Sequence, residues 1–322
     1  MSITTPALLN VRNAARKFLV DLQPAERVLV GCSGGADSLA LTYALFQESQ
    51  LLNFELIPVI VDHDLQPGSA DVATRTKELL TNWGIKNIFL GKAHVVMSDG
   101  LEASARRARY QIFGQALETF PAQKFFLAHT LNDQAETVLL GLARGSGPKS
   151  LSGMSDVNEK YVRPLLNISR EITEQACREV GIEYWNDPHN NNEEFTRVRV
   201  RKNLLPAMEQ QLGPGIAKAL ARSADLMRED VQALDQWAAQ EFAKLDPKNL
   251  EVASLLELPK AVRSRVLRLA IYAAGAPAGS LSAEHVAPVE ALLTDWKGQG
   301  EVSLPGGVKV SRISGRLSLL NR

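Results

Sequence analysis

The stretch Arg27 to Leu41, RVLVGCSGGADSLAL, constrains this chain more than any other. Its apolar run Val28-Leu29-Val30 reads as a buried strand, and a helix continues from about Ser38. Between them lie Ser33, Gly34 and Gly35, small and turn-prone. A strand, a glycine turn and a helix start together build an anion site. The turn's N–H groups converge there, and the helix start carries partial positive charge. The glycines let a phosphate approach the backbone, and Ser33 and Ser38 add hydroxyl donors. Two common phosphate loops are excluded, because the stretch has neither a Gly-Lys-Ser/Thr ending nor G-x-G-x-x-G spacing. Asp37 sits inside this anion loop, where it would repel phosphate unless a divalent metal or another cation stands between them. An ordinary glycine-rich turn between strand and helix is the plainer alternative.

At 322 residues the chain is long enough for about two domains of ~150 residues. Lys and Arg total 36, as do Asp and Glu, so nucleic acid would have to be bound by local basic patches rather than by overall charge. Cys32 and Cys177 lie far apart with no CxxC, which argues against a zinc site or an iron–sulfur cluster and fits a reducing cytoplasm. Cys32, beside the loop, reads as core packing. No apolar run approaches a membrane span, so no membrane partner is expected. Leu8, Val11, Ala15, Phe18 and Leu19 recur at helical spacing and predict an amphipathic first helix, not a targeting peptide.

Further along, apolar strands are expected at Phe54–Val61, Lys86–Leu90 and Lys124–Ala128, with helices between them from Ser69 to about Trp83 and from Leu101 to Phe120. Asn132 is expected to cap a helix to about Ala143, and Ser169 one to Val180. Tyr161–Leu166 reads as a short strand. Alternating strands and helices imply a doubly wound parallel α/β sheet, whose ligands bind beyond the carboxyl ends of the strands. Ser33–Ser38, Asp62-His63-Asp64 and His129 all fall at such ends and therefore share one rim. Thr196–Leu205 is basic on alternate residues. Beyond Pro206 the chain turns mainly helical and closes with short β-strands about Pro305-Gly306-Gly307. The expected division is 1–206 for the catalytic domain and 207–322 for a mainly helical substrate domain.

A second constellation is HTLNDQAET, His129 to Thr137. In a helix begun near Asn132, Asp133, Glu136 and Thr137 share a face, with His129 just ahead of it. Acids and an imidazole beside a phosphate loop suit metal holding, amine positioning or proton removal. A capped helix with a solvated acidic first turn is the alternative for the same residues.

SGG-x-DS resembles the loop of the N-type ATP pyrophosphatases, which adenylate a carbonyl-type oxygen. SGGADS, VDHDLQPGSA, LEASARRARY, HTLNDQAET, LARGSG, RPLL, YWNDP and RVRVRKNLLP occur in the order seen in tRNA(Ile)-lysidine synthases. The resemblance is dense from Arg27 to Pro206 and continues weakly to EVSLPGGVKV. It implies that ATP, with Mg²⁺, is used to join L-lysine to the wobble cytidine of the CAU-anticodon isoleucine tRNA. By the same resemblance, Ser33, Gly34, Gly35, Ala36, Asp37, Ser38, Asp62 and His63 would hold ATP, with Asp37 positioning the metal. Asp37, His129, Asp133 and Glu136 would be catalytic. Arg106, Arg109, Arg144, Arg197 and Arg201 would bind phosphates of ATP or tRNA, although each arginine alone reads equally as a solvated surface residue. Trp185 would stack a base or pack beside Pro188. Further tRNA contacts are expected from Arg263, Arg265 and Arg268.

Three departures stand out. His129-Thr130-Leu131-Asn132-Asp133 replaces His-His-x-Asp-Asp, which leaves the load on Asp133 and Glu136. Arg197-Val198-Arg199-Val200-Arg201 lacks the asparagine of Arg-Asn-x-x-Arg, and Asp64 stands where a glycine is usual. The rivals are a tRNA thiolase, which shares the adenylation step but commonly needs cysteines, an amidotransferase-linked pyrophosphatase, and a non-catalytic nucleotide-binding module. The sequence leaves the oligomeric state open.

Overall fold

The computed structural model describes residues 5–62, 68–96, 100–145, 147–188 and 192–321, without the side chains of 101 and 102. By its internal contacts the chain divides into Met1–Asp225 and Leu226–Arg322, the division falling within one long helix.

In the first unit, β1 (Arg27–Gly31), β2 (Glu55–Asp62), β3 (Phe89–Lys92), β4 (Lys124–Phe126), β5 (Val157–Asn158) and β6 (Tyr161–Val162) form a sheet in the order β3-β2-β1-β4-β6-β5. Every pairing is parallel except β5 with β6. The helices are α1 (Pro6–Arg16), α2 (Ala36–Leu52), α3 (Ser69–Asn82), α4 (Leu101–Thr119), α5 (Leu131–Ala143), α6 (Pro148–Leu151) and α7 (Arg170–Glu179). Then come α8 (Thr196–Arg199), a π-helical turn (Val200–Leu204), α9 (Leu205–Leu212) and α10 (Ile216–Phe242). The expected doubly wound sheet is present. Strand β1 is its pivot: Val28 and Val30 join the core that includes α1, α2 and α7, while Leu29 joins Phe113 and Phe125 on the other face. Burial on both faces explains why β1 reads as a continuous apolar run. The strand order reverses between β1 and β4, the crevice where such sheets bind ligands.

Several local expectations need correction. The third strand runs from Phe89 to Lys92, because Lys86 and Asn87 precede its pairing with Val59–Asp62. Only Tyr161–Val162 of the 161–166 segment is strand, and it folds back on Val157–Asn158. Helix α5 starts at Leu131 and is capped by Thr130, not by Asn132. The basic run is helical rather than alternating: Arg197 and Arg201 share one side while Arg199 bonds the carbonyls of Glu193 and Glu194. The expected boundary near Pro206 is a division by sequence family and not by contacts, and the first contact unit runs on to Asp225. Val200, Leu205, Met208, Ile216, Ala217 and Leu220 pack with Ala135 and Leu139 of α5, so the chain past Pro206 still covers that helix.

The second unit comprises the end of α10, β7 (Asn249–Glu251), α11 (Val252–Glu257), α12 (Lys260–Ala273), α13 (Ala283–Thr294), β8 (Val302–Ser303), β9 (Val308–Ile313) and β10 (Arg316–Asn321). Its strands pair antiparallel in the order β7-β10-β9-β8, with the Pro305-Gly306-Gly307 turn between β8 and β9 as expected. Val266, Leu267, Ile271, Val289 and Leu292 pack against Val308, Val310 and Leu317. Its arginines serve this fold. Arg263 is buried against Glu290, Arg265 pairs with Asp235, and Arg268 donates to the Leu281 carbonyl.

Candidate active site

The loop after β1 is built by its own small residues. Ser38 Oγ accepts from the Ser33 N–H at 3.1 Å and donates to the Gly35 carbonyl at 3.0 Å, folding the loop over the start of α2. Gly34 has φ of +83°, and a Cβ there would lie 2.6 Å from Thr76 Oγ1 of α3, so only glycine fits. The Gly34 carbonyl accepts the Trp185 N–H at 2.9 Å, which ties the 182–188 segment to the loop. Ala36 and Asp37 open α2, whose first N–H groups have no partner within the helix.

Asp37 reaches across to α7. One oxygen accepts from Arg170 Nε at 3.2 Å and the other from the Thr173 hydroxyl. Burial pushes its carboxyl up, against the pull of Arg170 and Thr173, and the nearby Asp133 pushes the same way. Arg170 Nη2 also lies 3.4 Å from Asp133, so one guanidinium bridges the loop acid and the helix acid.

Asp133 closes a capping box. Its Oδ2 accepts from the Thr130 N–H at 2.8 Å and from the Thr130 hydroxyl at 2.9 Å. Burial opposes its charge, but Arg170 and Arg197 hold the carboxyl down at about 2. Glu136, one turn on, is fully buried and is gripped by Arg197 Nε at 2.7 Å and Arg201 Nε at 2.6 Å. These arginines belong to the helical run that passes into the π turn, a local widening that recurs at functional sites. Asn132 Oδ1 accepts the Arg170 N–H at 3.0 Å, at the start of α7, whose N-cap is Ser169 as expected.

His129 stands between β4 and α5. Burial lowers its pKa to about 4, aided by Arg163, Arg106 and Arg197 against the pull of Asp133, so the imidazole is neutral near pH 7. Among the described residues, Nδ1 of His129 and Nε of Arg163 are buried polar atoms without a hydrogen-bond partner.

The expected residues therefore divide. Ser33, Gly34, Gly35, Ala36, Asp37 and Ser38 form the loop. Asp37, Asp133, Glu136, Arg197 and Arg201 form one network with Arg170. Asp62 ends β2, buried. His63 and Asp64 lie outside the described residues. Arg106 is exposed on α4, over the Tyr110 ring, and Arg109 is exposed one turn on. Arg144 lies outside the network: it follows the last turn of α5, about 16 Å along the axis from Asp133, and donates to the Leu140 carbonyl. Sequence reasoning missed Arg170, Thr173 and Arg163. The first two are three apart in the first turn of a helix whose cap was legible, and that spacing was the available signal.

Two neighbouring carboxylates and no larger cluster of His, Cys, Asp or Glu among the described residues suit Mg²⁺, which takes one or two carboxylates and completes its shell with phosphates and water. No described helix is long and apolar enough to cross a membrane.

Residues 8–208 match the family model of the PP-loop domain, and residues 250–318 that of the TilS substrate binding domain. The tRNA(Ile)-lysidine synthases of Thermobifida fusca, Rhodococcus erythropolis and Leifsonia xyli are 44%, 45% and 46% identical to this chain. These matches cover 98%, 96% and 92% of this chain, and 98%, 93% and 90% of the relatives. Among solved structures, the U34-tRNA thiolase NcsA from Methanococcus maripaludis is similar, with a TM-score of 0.58 and 18% identity, over 69% of this chain and 80% of that one. That likeness concerns the fold alone. With a PP-loop domain, a TilS substrate binding domain and full-length relatives above 40% identity, the chain belongs to the tRNA(Ile)-lysidine synthase family of PP-loop ATP pyrophosphatases.

Proposed function

We propose that the protein uses ATP to activate the wobble cytidine of the CAU-anticodon isoleucine tRNA and then joins L-lysine to it. The observation that carries the reading is the bridge Asp37–Arg170–Asp133, which sets a phosphate loop beside the acids and arginines of the α5 network. The triphosphate lies along Ser33–Ser38. The cytosine 2-carbonyl oxygen attacks the α-phosphorus, the bond to the β-phosphate oxygen breaks, and pyrophosphate leaves. The lysine ε-amine, having lost its proton, attacks the same ring carbon, and AMP leaves with the former carbonyl oxygen. Asp133, more exposed than Glu136, receives the incoming amine. Neutral His129 is suited to accept a proton, since its Nδ1 has no internal partner. Asp37 would hold Mg²⁺, which neutralises charge on the phosphates when bound. A cytosine in an anticodon loop is reached without opening a duplex.

Sulfur transfer of the thiolase type fits less well. Both cysteines are buried, and burial pushes the Cys177 thiol up to about 12, far from a reactive thiolate. The lysidine reading implies action in the cytoplasm, where ATP, free lysine and tRNA meet. Incubation of the protein with ATP, Mg²⁺, labelled lysine and the isoleucine tRNA transcript tests it. Lysidine in the digested nucleosides is expected, and incorporation of sulfur or unmodified cytidine would contradict it.

A further inference from the structure

The ion pairs of the site fall into two kinds. Arg197 and Arg201 hold Glu136 at 2.7 and 2.6 Å, the length of tight charge-assisted bonds, and reach Asp133 only at 3.5 Å. Arg170 instead spreads over two acids, at 3.2 Å from Asp37 and 3.4 Å from Asp133, and satisfies neither closely. Its backbone is fixed, since Asn132 Oδ1 holds its N–H at 3.0 Å, so only the side chain is free to exchange partners. Asp37 keeps a second donor, Thr173, when the guanidinium leaves. What remains then is Asp37 with no guanidinium on it, while Asp133 keeps the more distant Arg197 and Arg201 at 3.5 Å each.

We propose, resting on the adenylation reading above, that Arg170 is an electrostatic latch: its guanidinium fills the cation seat between Asp37 and Asp133 until a triphosphate draws it away. A phosphate chain on the adjacent loop offers a guanidinium a better, bidentate anion partner than two half-shared carboxylates. Once Arg170 turns to the phosphates, Asp37 is open to the divalent cation and Asp133 loses one of its three guanidinium partners. The latch therefore couples cation entry at Asp37 to the arrival of ATP and keeps stray cations out of the ligand-free site. Arg170 acts here as a positioning residue.

Titration of the ligand-free full chain with Mn²⁺, followed by the electron paramagnetic resonance signal of free Mn²⁺, tests this without ATP, lysine or tRNA. R170Q is expected to bind one Mn²⁺ at least about tenfold more tightly than wild type, because a competing cation is gone. R170K, which keeps the charge, should stay within a few-fold of wild type, and R170Q/D37N should lose the gain. The latch is overturned if R170Q binds no more tightly than wild type, if R170K gains as much as R170Q, or if the gain survives D37N. Should R170Q not fold, as judged by its melting transition, R170M gives the same comparison. Failure of this titration would leave lysidine formation standing, and absence of lysidine would leave the metal result standing.

Discussion

Arg201 grips both oxygens of the fully buried Glu136, through Nε at 2.6 Å and Nη2 at 3.1 Å. Arg197 adds a third bond at 2.7 Å. Glu136 is thus a structural anchor as well as a site residue: it fastens the 196–204 helical run to α5. Replacing it leaves two guanidiniums with only the longer contacts to Asp133, at 3.5 Å each.

E136A is expected to cost about 3 kcal/mol, the low end for breaking a buried pair, because both arginines are about a quarter exposed, at 26% and 24%, and can reach water. Urea midpoints measure it. A loss below about 0.5 kcal/mol, the scale of a surface substitution, would show that the network is not coupled to folding.

His129 supplies a pH signature. Its folded pKa is about 4 against an ordinary 6.5, so between those values the unfolded chain takes up a proton that the folded chain does not. Stability should therefore fall as pH is lowered from 6.5 to about 4 and be flat with respect to this group below that. Asp133, held at about 2 against an ordinary 3.8, is fully stabilising above 3.8 and loses its share only as pH falls toward 2. The two windows do not overlap. H129Q should flatten the upper one, which chemical denaturation at stepped pH reads directly, and an unchanged slope would remove His129 as its source.

G34A is expected to weaken ATP binding by about tenfold, since an L-residue in the left-handed region costs about 1–2 kcal/mol. Its Cβ would also meet Thr76 Oγ1 at 2.6 Å. Adding T76A should recover part of the loss, from the contact but not from the backbone. Calorimetric titration with ATP separates the two, and full recovery would mean that the backbone carries no strain.

A chain ended after Pro206 loses Met208, Ile216 and Leu220 from the α5 cluster, at about 1 kcal/mol for each half-buried side chain. One ended after Asp225 keeps them. The shorter piece should melt well below the longer one, and equal melting temperatures would place the boundary at Pro206 after all.

What the sequence reveals of this molecule follows the range of its interactions. The β1 run, the loop glycines and the α5 acids are local signals, in which propensity, turn chemistry and burial agree over a few residues, and each is found where it was expected. The α7 contribution was not legible. Arg170 acts on Asp37 across 133 positions and on Asp133 across 37, and no periodicity reports a pairing of that range. Arg197 and Arg201 were singled out for their charge and assigned to phosphates. The structure engages both with carboxylates, because a buried glutamate demands counter-charge wherever the chain can bring it. Asn132, read as the cap of its own helix, instead accepts the first N–H of a helix, at Arg170, 38 positions on.

Gly34 is held from two sides, by the Trp185 N–H on its carbonyl and by Thr76 filling the space beside its Cα. A loop so enclosed has already lost its conformational freedom when the chain folds, and little remains to be lost when a triphosphate arrives. Nucleotide affinity is in this sense lodged in α3 and in the 182–188 segment, neither of which needs to touch the ligand. Loosening of either would register as weaker binding even with every loop residue unchanged.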